Sequence, residues 1–381
     1  MNENPCLDIG FWFPRPDRGA RLAEVLRQRG HAVTIYHSRA IPGDQAFVRR
    51  VSYNMLGGLR QLKGLTHDVM YTSSSFLPVL QLRANKWRRG TPYVYVINGA
   101  VWAYYGDLAS SSRTPGAKKA LYPWLLRLSL SGADAIVANS SFLAEGLRAK
   151  FPSHAGRVST IYNGIDYASI NSGRGCPDAW PSGELRLLSV VTLNFLRKTD
   201  GVRLLIDTFN AILRCHRDAV YLIAAKAENP ELVRLMRDYV DTLPCKDRVK
   251  IDMNRNDVPD LLAAADLFLY ATPEDSSDSL PRVLLEAQAA GVPIATTDTT
   301  GCGEVVHDGK SGRLVGYDAG ALACAANDLL RDRGHALKMA ETGTGSVQRK
   351  FSWKAMADSY ENLFMRVLGK RQGNPVGVGE P

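Results

Sequence analysis

Two carboxylates eight residues apart, Asp278 and Glu286, flank a helix start in the stretch DSLPRVLLE at 278–286. An apolar run ends at Tyr270 and a polar loop follows. Ser279 reads as the N-cap of the next helix and Pro281 as a first-turn proline, which puts Glu286 in the second turn. A helix that begins at the carboxyl end of a strand directs its unpaired N–H groups and the positive end of its dipole at whatever lies in front of it, which makes an anion site. Carboxylates accept strongly from hydroxyls. A diphosphate at the helix start, with a hydroxyl-bearing ring on either side, therefore matches the layout, and that is the shape of a sugar-nucleotide. The competing reading is a capped core helix carrying two incidental acids.

The elements that must position these residues alternate. In the first half, apolar runs at 7–13, 32–36, 68–71, 93–97, 135–138 and 158–161 read as strands, the first followed by a helical pattern through Leu22, Val25 and Leu26 that stops at Gly30. In the second half, strands at 185–191, 220–225, 249–251, 267–270 and 292–295 alternate with helices at 202–213, 231–243, 258–264 and 280–290. This is the signature of α/β domains with doubly wound parallel sheets, which bind ligands at the carboxyl ends of their strands. The length, 381 residues, suits two such domains. The expected division is an N-terminal domain at 1–170, a Gly/Pro/Ser-rich linker at 171–183, a second domain at 184–350, a helix at 353–368 and a disordered tail at 369–381.

The net charge of +9 is local to the first half. Between Asp44 and Asp134 the only acids are Asp68 and Asp107, against twelve Lys or Arg. Such a region attracts anions. The stretch 48–65 mixes Arg49, Arg50, Arg60 and Lys63 with apolar residues around Gly57 and Gly58, and Trp87 stands among Lys86, Arg88 and Arg89. An amphipathic segment on an anionic membrane and an ordinary solvated face both fit this composition. No nucleic-acid-binding module is recognisable. Six scattered cysteines form no CxxC pair, the start lacks a signal-peptide pattern, and no run reaches the length of a membrane span, so a cytoplasmic protein with reduced thiols is expected.

An ordered set of motifs resembles the retaining family-4 glycosyltransferases, whose fold is called GT-B: two Rossmann-like domains facing across a cleft, with a C-terminal helix that crosses back to the first. Asp278 and Glu286 match the Glu-x7-Glu motif with Asp in the first position. AGVPIA at 290–295, GCGEVVHDG at 301–309 and GRLV at 312–315 follow it; ADAIVANS at 133–140, NGID at 163–166 and VPDLLAAAD at 258–266 precede it; FSW at 351–353 opens the last helix. The first ~130 residues match only as a pattern of alternating elements.

The resemblance implies a role for each matching residue. Asp278 would accept from hydroxyls of the donor sugar, Glu286 from the nucleotide ribose, and the backbone of Ser279 and Leu280 would contact the donor. Lys198, on the first loop of the second domain, matches the lysine that neutralises the leaving diphosphate. The family's arginine position holds Thr192 or Leu193, and Arg197 is the nearest substitute. The family's Gly-Gly loop becomes PRPDRG at 14–19, with Gly19 at a plausible place and Arg15 and Arg18 beside it. Asn98 stands where many members have histidine. Base recognition falls around 253–256, with Asn254. The implied reaction is retaining transfer of a hexosyl or N-acetylhexosaminyl group from a nucleotide-sugar to a glycan or lipid-linked acceptor. The nucleotide-sugar is a co-substrate, no metal or other cofactor is expected, and no nucleic acid is a partner. A nucleotide-sugar epimerase of the same fold and a non-catalytic sugar-nucleotide binder are the alternatives.

Overall fold

The computed structural model describes residues 5–13, 16–38, 47–73, 76–99, 116–227, 229–274, 276 and 278–369, with side chains at all of these but 16, 17, 116–120 and 122. The chain divides into two compact units, one running to Gly164 and resuming at Trp353, the other covering Ile165–Ser352.

The first unit holds seven strands: β1 (Asp8–Trp12), β2 (Ala32–His37), β3 (Val48–Arg50), β4 (Val69–Thr72), β5 (Tyr93–Ile97), β6 (Ala135–Ala138) and β7 (Val158–Thr160). They form one parallel sheet in the order β3-β2-β1-β4-β5-β6-β7. Its described helices are α1 (Pro16–Gln28), α2 (Met55–Leu62), α3 (Phe76–Arg89), α4 (Gly116–Gly132), α5 (Ser141–Lys150) and, from the end of the chain, α13 (Trp353–Gly369). Alternate strand residues face opposite sides of a sheet. Ile9, Phe11, Ile35, Tyr71 and Val96 accordingly pack with Leu22 and Leu26 of α1 and with Tyr360 and Phe364 of α13. Trp12, Tyr36, Met70, Tyr93 and Tyr95 pack the other way, against Leu62, Leu82, Leu130 and Leu147 of α2–α5. Arg29 ties α13 down by ion pairs to Asp358 at 2.7 Å and Glu361 at 3.0 Å.

The region 48–65, which an amphipathic membrane segment and an ordinary solvated face both fitted, is β3 followed by α2. Gly57 and Gly58, read as an interruption, lie inside α2. A Cβ on Gly58 would lie 2.2 Å from the Gln81 amide nitrogen, so glycine lets α2 approach α3, where Gln81 also accepts from the Trp12 indole at 2.9 Å.

The second unit contains a short helix α6 (Tyr167–Ile170), then β8 (Leu185–Thr192), α7 (Lys198–Ile212), β9 (Ala219–Lys226), α8 (Pro230–Asp241), β10 (Val249–Met253), α9 (Val258–Ala264), β11 (Leu267–Tyr270), α10 (Arg282–Ala289), β12 (Ile294–Thr297), β13 (Arg313–Val315), α11 (Ala319–Arg331) and α12 (Arg333–Lys350). Its six strands are parallel in the order β10-β9-β8-β11-β12-β13. Residues 171–183, read as a linker, pack onto this unit: Trp180 is buried and its indole donates to the Leu187 carbonyl at 2.8 Å, while the Arg174 amide donates to Asp260 at 2.8 Å. The Gly/Pro/Ser content marks irregular backbone, not a loose connection. The tail from 370 onward lies outside the described residues. Among the described residues no helix is long and apolar enough to cross a membrane.

Candidate functional site

In the second sheet, β8 and β11 are neighbours although distant in sequence, and the chain proceeds outward from them on both sides. The loops leaving their carboxyl ends therefore open a crevice at a topological switch point. Lys198 follows β8 and Asp278 follows β11. Lys198 is not on a loop, as expected, but is the first residue of α7. Its ammonium forms an ion pair with Asp278 Oδ2. The lysine side chain is 12% exposed and the aspartate 32%, so the pair is largely withdrawn from water yet open on one side.

Two hydroxyls converge on the same carboxylate oxygen: Tyr270, at the end of β11, and Thr272 each donate to Oδ2 at 3.3 Å. Burial, and secondarily the negative charge of Asp278, hold the Tyr270 hydroxyl well above the usual phenol range, so it remains a donor throughout physiological pH. The Asp278 amide donates to Ser276 Oγ at 3.2 Å and fixes the loop from the other side. Tyr270, Thr272 and Ser276 were not singled out from the sequence; the only signal was the hydroxyl-rich run between β11 and α10.

Glycines bring the pieces together. A Cβ on Gly201 would lie 2.7 Å from the Ala271 carbonyl oxygen, so the first turn of α7 can press against the chain leaving β11. A Cβ on Gly301 would lie 2.0 Å from the Ser279 carbonyl oxygen, closer than any side chain permits. Thr299 adds a hydrogen bond to the Thr272 carbonyl at 2.8 Å. The Ser279–Leu280 backbone is thus braced by the turn after β12.

The expected cap is shifted. Ser279 is buried, but the N-cap residue of α10 is Pro281, whose side chain makes no capping bond. Proline has no N–H, and its extended ψ of 104° starts the helix two residues later than the motif suggested. Glu286 still falls in the second turn, where Arg282 Nε donates to its Oε1 at 2.8 Å. The glutamate side chain is 19% exposed.

Other residues behave differently from the expectation. Arg197 is the N-cap of α7, half-buried and without a capping bond of its own. Asn254 adopts a left-handed backbone (φ 55°), and its side-chain amide pairs with the backbone of Ala227, accepting from the N–H at 3.1 Å and donating to the carbonyl at 3.4 Å. In the first unit Gly19, read as a loop glycine, is buried inside α1, because the helix already begins at Pro16. Arg18 donates to Asn98 Oδ1 at 3.3 Å at the end of β5. Arg15 lies outside the described residues.

Residues 20–169 match the model described as Glycosyltransferase Family 4, and residues 186–332 match that described as Glycosyl transferases group 1. The chain belongs to the family-4 glycosyltransferases. The second match contains Arg197, Lys198, Asn254, Asp278, Ser279, Leu280 and Glu286; the first contains Asn98. Among relatives of this family, the chain is 26% identical over 265 residues to the alpha-maltose-1-phosphate synthase of Mycolicibacterium smegmatis, covering 64% of this chain and 66% of that one. The chain spans just under two thirds of the length of the curated relatives it matches. Among solved structures, a glycosyltransferase from Rickettsia africae aligns with a TM-score of 0.77 at 16% identity, covering 95% of this chain and 99% of that one. Anabaena Alr3699/HepE, crystallised with UDP, aligns with a TM-score of 0.73 at 17% identity, covering 94% and 100%. With the two parallel-sheet units, this likeness makes the fold GT-B.

Proposed function

We propose that this chain is a retaining glycosyltransferase that moves a hexosyl or N-acetylhexosaminyl group from a nucleotide-sugar to a hydroxyl of a glycan or lipid-linked acceptor. The observation that carries the reading is the Lys198–Asp278 pair at the switch point of the second sheet, with the start of α10 beside it. It joins a cation for a leaving diphosphate to an acceptor for sugar hydroxyls.

In this reading the donor diphosphate meets the Lys198 ammonium and the first-turn N–H groups of α10, with Arg197 as the second cation. Lys198 then shares its charge between phosphate and Asp278, and the carboxylate accepts from sugar hydroxyls. Tyr270 and Thr272 hold Oδ2 in place while this exchange occurs. The Ser279 and Leu280 backbone amides approach the donor. Glu286, steadied by Arg282, accepts from the ribose, and the backbone at Asn254 borders the base. Within the first unit, Arg18 orients the Asn98 carboxamide after β5, and Gly19 lies in the first turn of α1.

In the chemical step the bond from the sugar's anomeric carbon to the diphosphate oxygen breaks as the acceptor oxygen bonds on the same face. The departing diphosphate oxygen takes the acceptor's proton. The chain supplies charge stabilisation at the leaving group and positioning, the two contributions this reaction most needs. This reading invokes no metal and no nucleic-acid partner, and it includes a cytoplasmic location.

The UDP complex of the similar Anabaena protein makes UDP-sugars the first donors to test. Incubation with UDP-, GDP- and ADP-sugars, with and without acceptor glycans, checks the reading. Sugar transfer that requires acceptor supports it; conversion of the nucleotide-sugar alone would make the protein an epimerase.

A further inference from the structure

The helical layer α2–α5 on one side of the first sheet differs in character from the rest of the protein. The large apolar side chains that the described part of the first unit exposes are Tyr53, Met55, Leu56, Trp87, Leu121 and Trp124. All lie on α2, α3 or α4, or on the turn into α2, and these three helices pack side by side with α3 in the middle. Leu56 is 71% exposed, Trp87 87% and Trp124 58%. None of the three helices contains an Asp or Glu. Their exposed charges are basic: Arg60 on α2, Arg88 and Arg89 at the end of α3, and Arg127 on α4. Below Trp124 a shallow groove of about 540 Å³ runs between α4 and the end of α5, lined by Arg127, Lys150, Phe151 and His154. The opposite layer is ordinary by contrast: α1 carries Glu24, and α13 carries Asp358 and Glu361 in ion pairs.

Protruding tryptophan and leucine on acid-free helices in a mainly basic layer, whose α5 adds one exposed acid, Glu145, is unfavourable toward water and favourable toward one environment in particular, an anionic lipid interface. Indole rings reside at the headgroup level, aliphatic side chains reach the acyl boundary, and each Lys or Arg near the surface adds attraction to acidic headgroups. A nucleic acid would engage the basic residues but leave Leu56 and Trp87 unburied.

We infer that the α2–α3–α4 layer docks the protein onto an anionic phospholipid bilayer, with Leu56, Trp87 and Trp124 entering the interface and the groove beside Trp124 receiving a headgroup phosphate. The test is co-sedimentation of the full chain with vesicles of phosphatidylcholine alone and of phosphatidylcholine containing phosphatidylglycerol, at low and high salt. Binding is expected only to the anionic vesicles, and it weakens as salt screens the headgroups. Replacing both arginines in Arg88→Ala/Arg89→Ala costs about fivefold in vesicle affinity per residue. Trp87→Ser/Trp124→Ser weakens binding by about tenfold and removes a blue shift of tryptophan emission on vesicle addition. Leu337→Ser, which removes an exposed leucine of the second unit, leaves vesicle binding unchanged. These are surface positions, and circular dichroism checks that the variants stay folded. Absence of binding to anionic vesicles at low salt overturns the inference. So does affinity for heparin or an oligonucleotide equal to that for vesicles and indifferent to the tryptophan changes.

Discussion

Lys198→Ala separates the two tasks assigned to the lysine. The ammonium is 12% exposed, and its partner Asp278 keeps two hydroxyl donors and 32% exposure after the lysine is gone. Breaking a fully buried ion pair costs about 3–5 kcal/mol, but this carboxylate is neither fully buried nor stripped of donors, so the stability loss is about 1–2 kcal/mol. Binding suffers more. A hydrogen bond to a charged group contributes about 1.5–3 kcal/mol, so the nucleotide diphosphate should bind about 10- to 150-fold more weakly. Transfer suffers further, because charge grows on the diphosphate as the sugar leaves; losing one donor to such a charge typically costs about 2.7–4 kcal/mol. Thermal unfolding gives the first figure, isothermal calorimetry with a nucleoside diphosphate the second, and turnover under saturating donor the third. Lys198→Arg should recover part of the affinity. Wild-type affinity and turnover in a folded Lys198→Ala protein would refute the assignment.

Further expectations follow from the same geometry. Gly301→Ala drives a Cβ into the Ser279 carbonyl and should destabilise the protein by about 1–3 kcal/mol while weakening donor binding, measured by chemical denaturation and calorimetry. Tyr270→Phe removes one donor from Asp278 with little change in volume, and should lower sugar-nucleotide affinity more than affinity for the nucleoside diphosphate alone. The Arg255 guanidinium bonding Asp257 holds that carboxyl below its ordinary value. A depressed carboxyl contributes stability above its unfolded value near 3.8, lost as pH falls through the folded one. Asp257→Asn should therefore be less stable than wild type at pH 7, with the two converging under acid, as followed by denaturant titration. Burial raises the Cys302 thiol to about 11, so at pH 8 an alkylating reagent should label the exposed Cys6, Cys215 and Cys324 and spare Cys302, as read by peptide mass mapping.

Much of the second unit was legible because its strands are buried on both faces and appear as short apolar runs separated by amphipathic helices. That periodicity also located the loop after β11 and the two acids around α10. What escaped were features set by contacts between distant segments. The pairing of Lys198 with Asp278 depends on β8 and β11 lying side by side, which no local pattern encodes. Tyr270 read as the last apolar residue of a strand, and only the fold reveals that its hydroxyl reaches the carboxylate. The cap of α10 moved because Pro281 takes an extended ψ, and a preference for serine at N-caps does not register that. In the first unit Gly19 was misassigned because a helix begins at Pro16, where Asp17, Arg18 and Gly19 suggested a turn. The 171–183 stretch shows the same limit: Trp180 has a buried destination, and composition alone hid it.

The most direct test of the central claim is calorimetric titration of the wild-type protein and Glu286→Ala with UDP-, GDP- and ADP-sugars. Glu286 lies on the second turn of α10, where Arg282 bonds it at 2.8 Å, and circular dichroism and thermal unfolding check that Glu286→Ala stays folded. The account predicts that at least one sugar-nucleotide binds the wild type saturably and that the folded Glu286→Ala protein binds it at least tenfold more weakly. Equal affinity in the two proteins, or no binding of any of the three donors to the wild type, would contradict it.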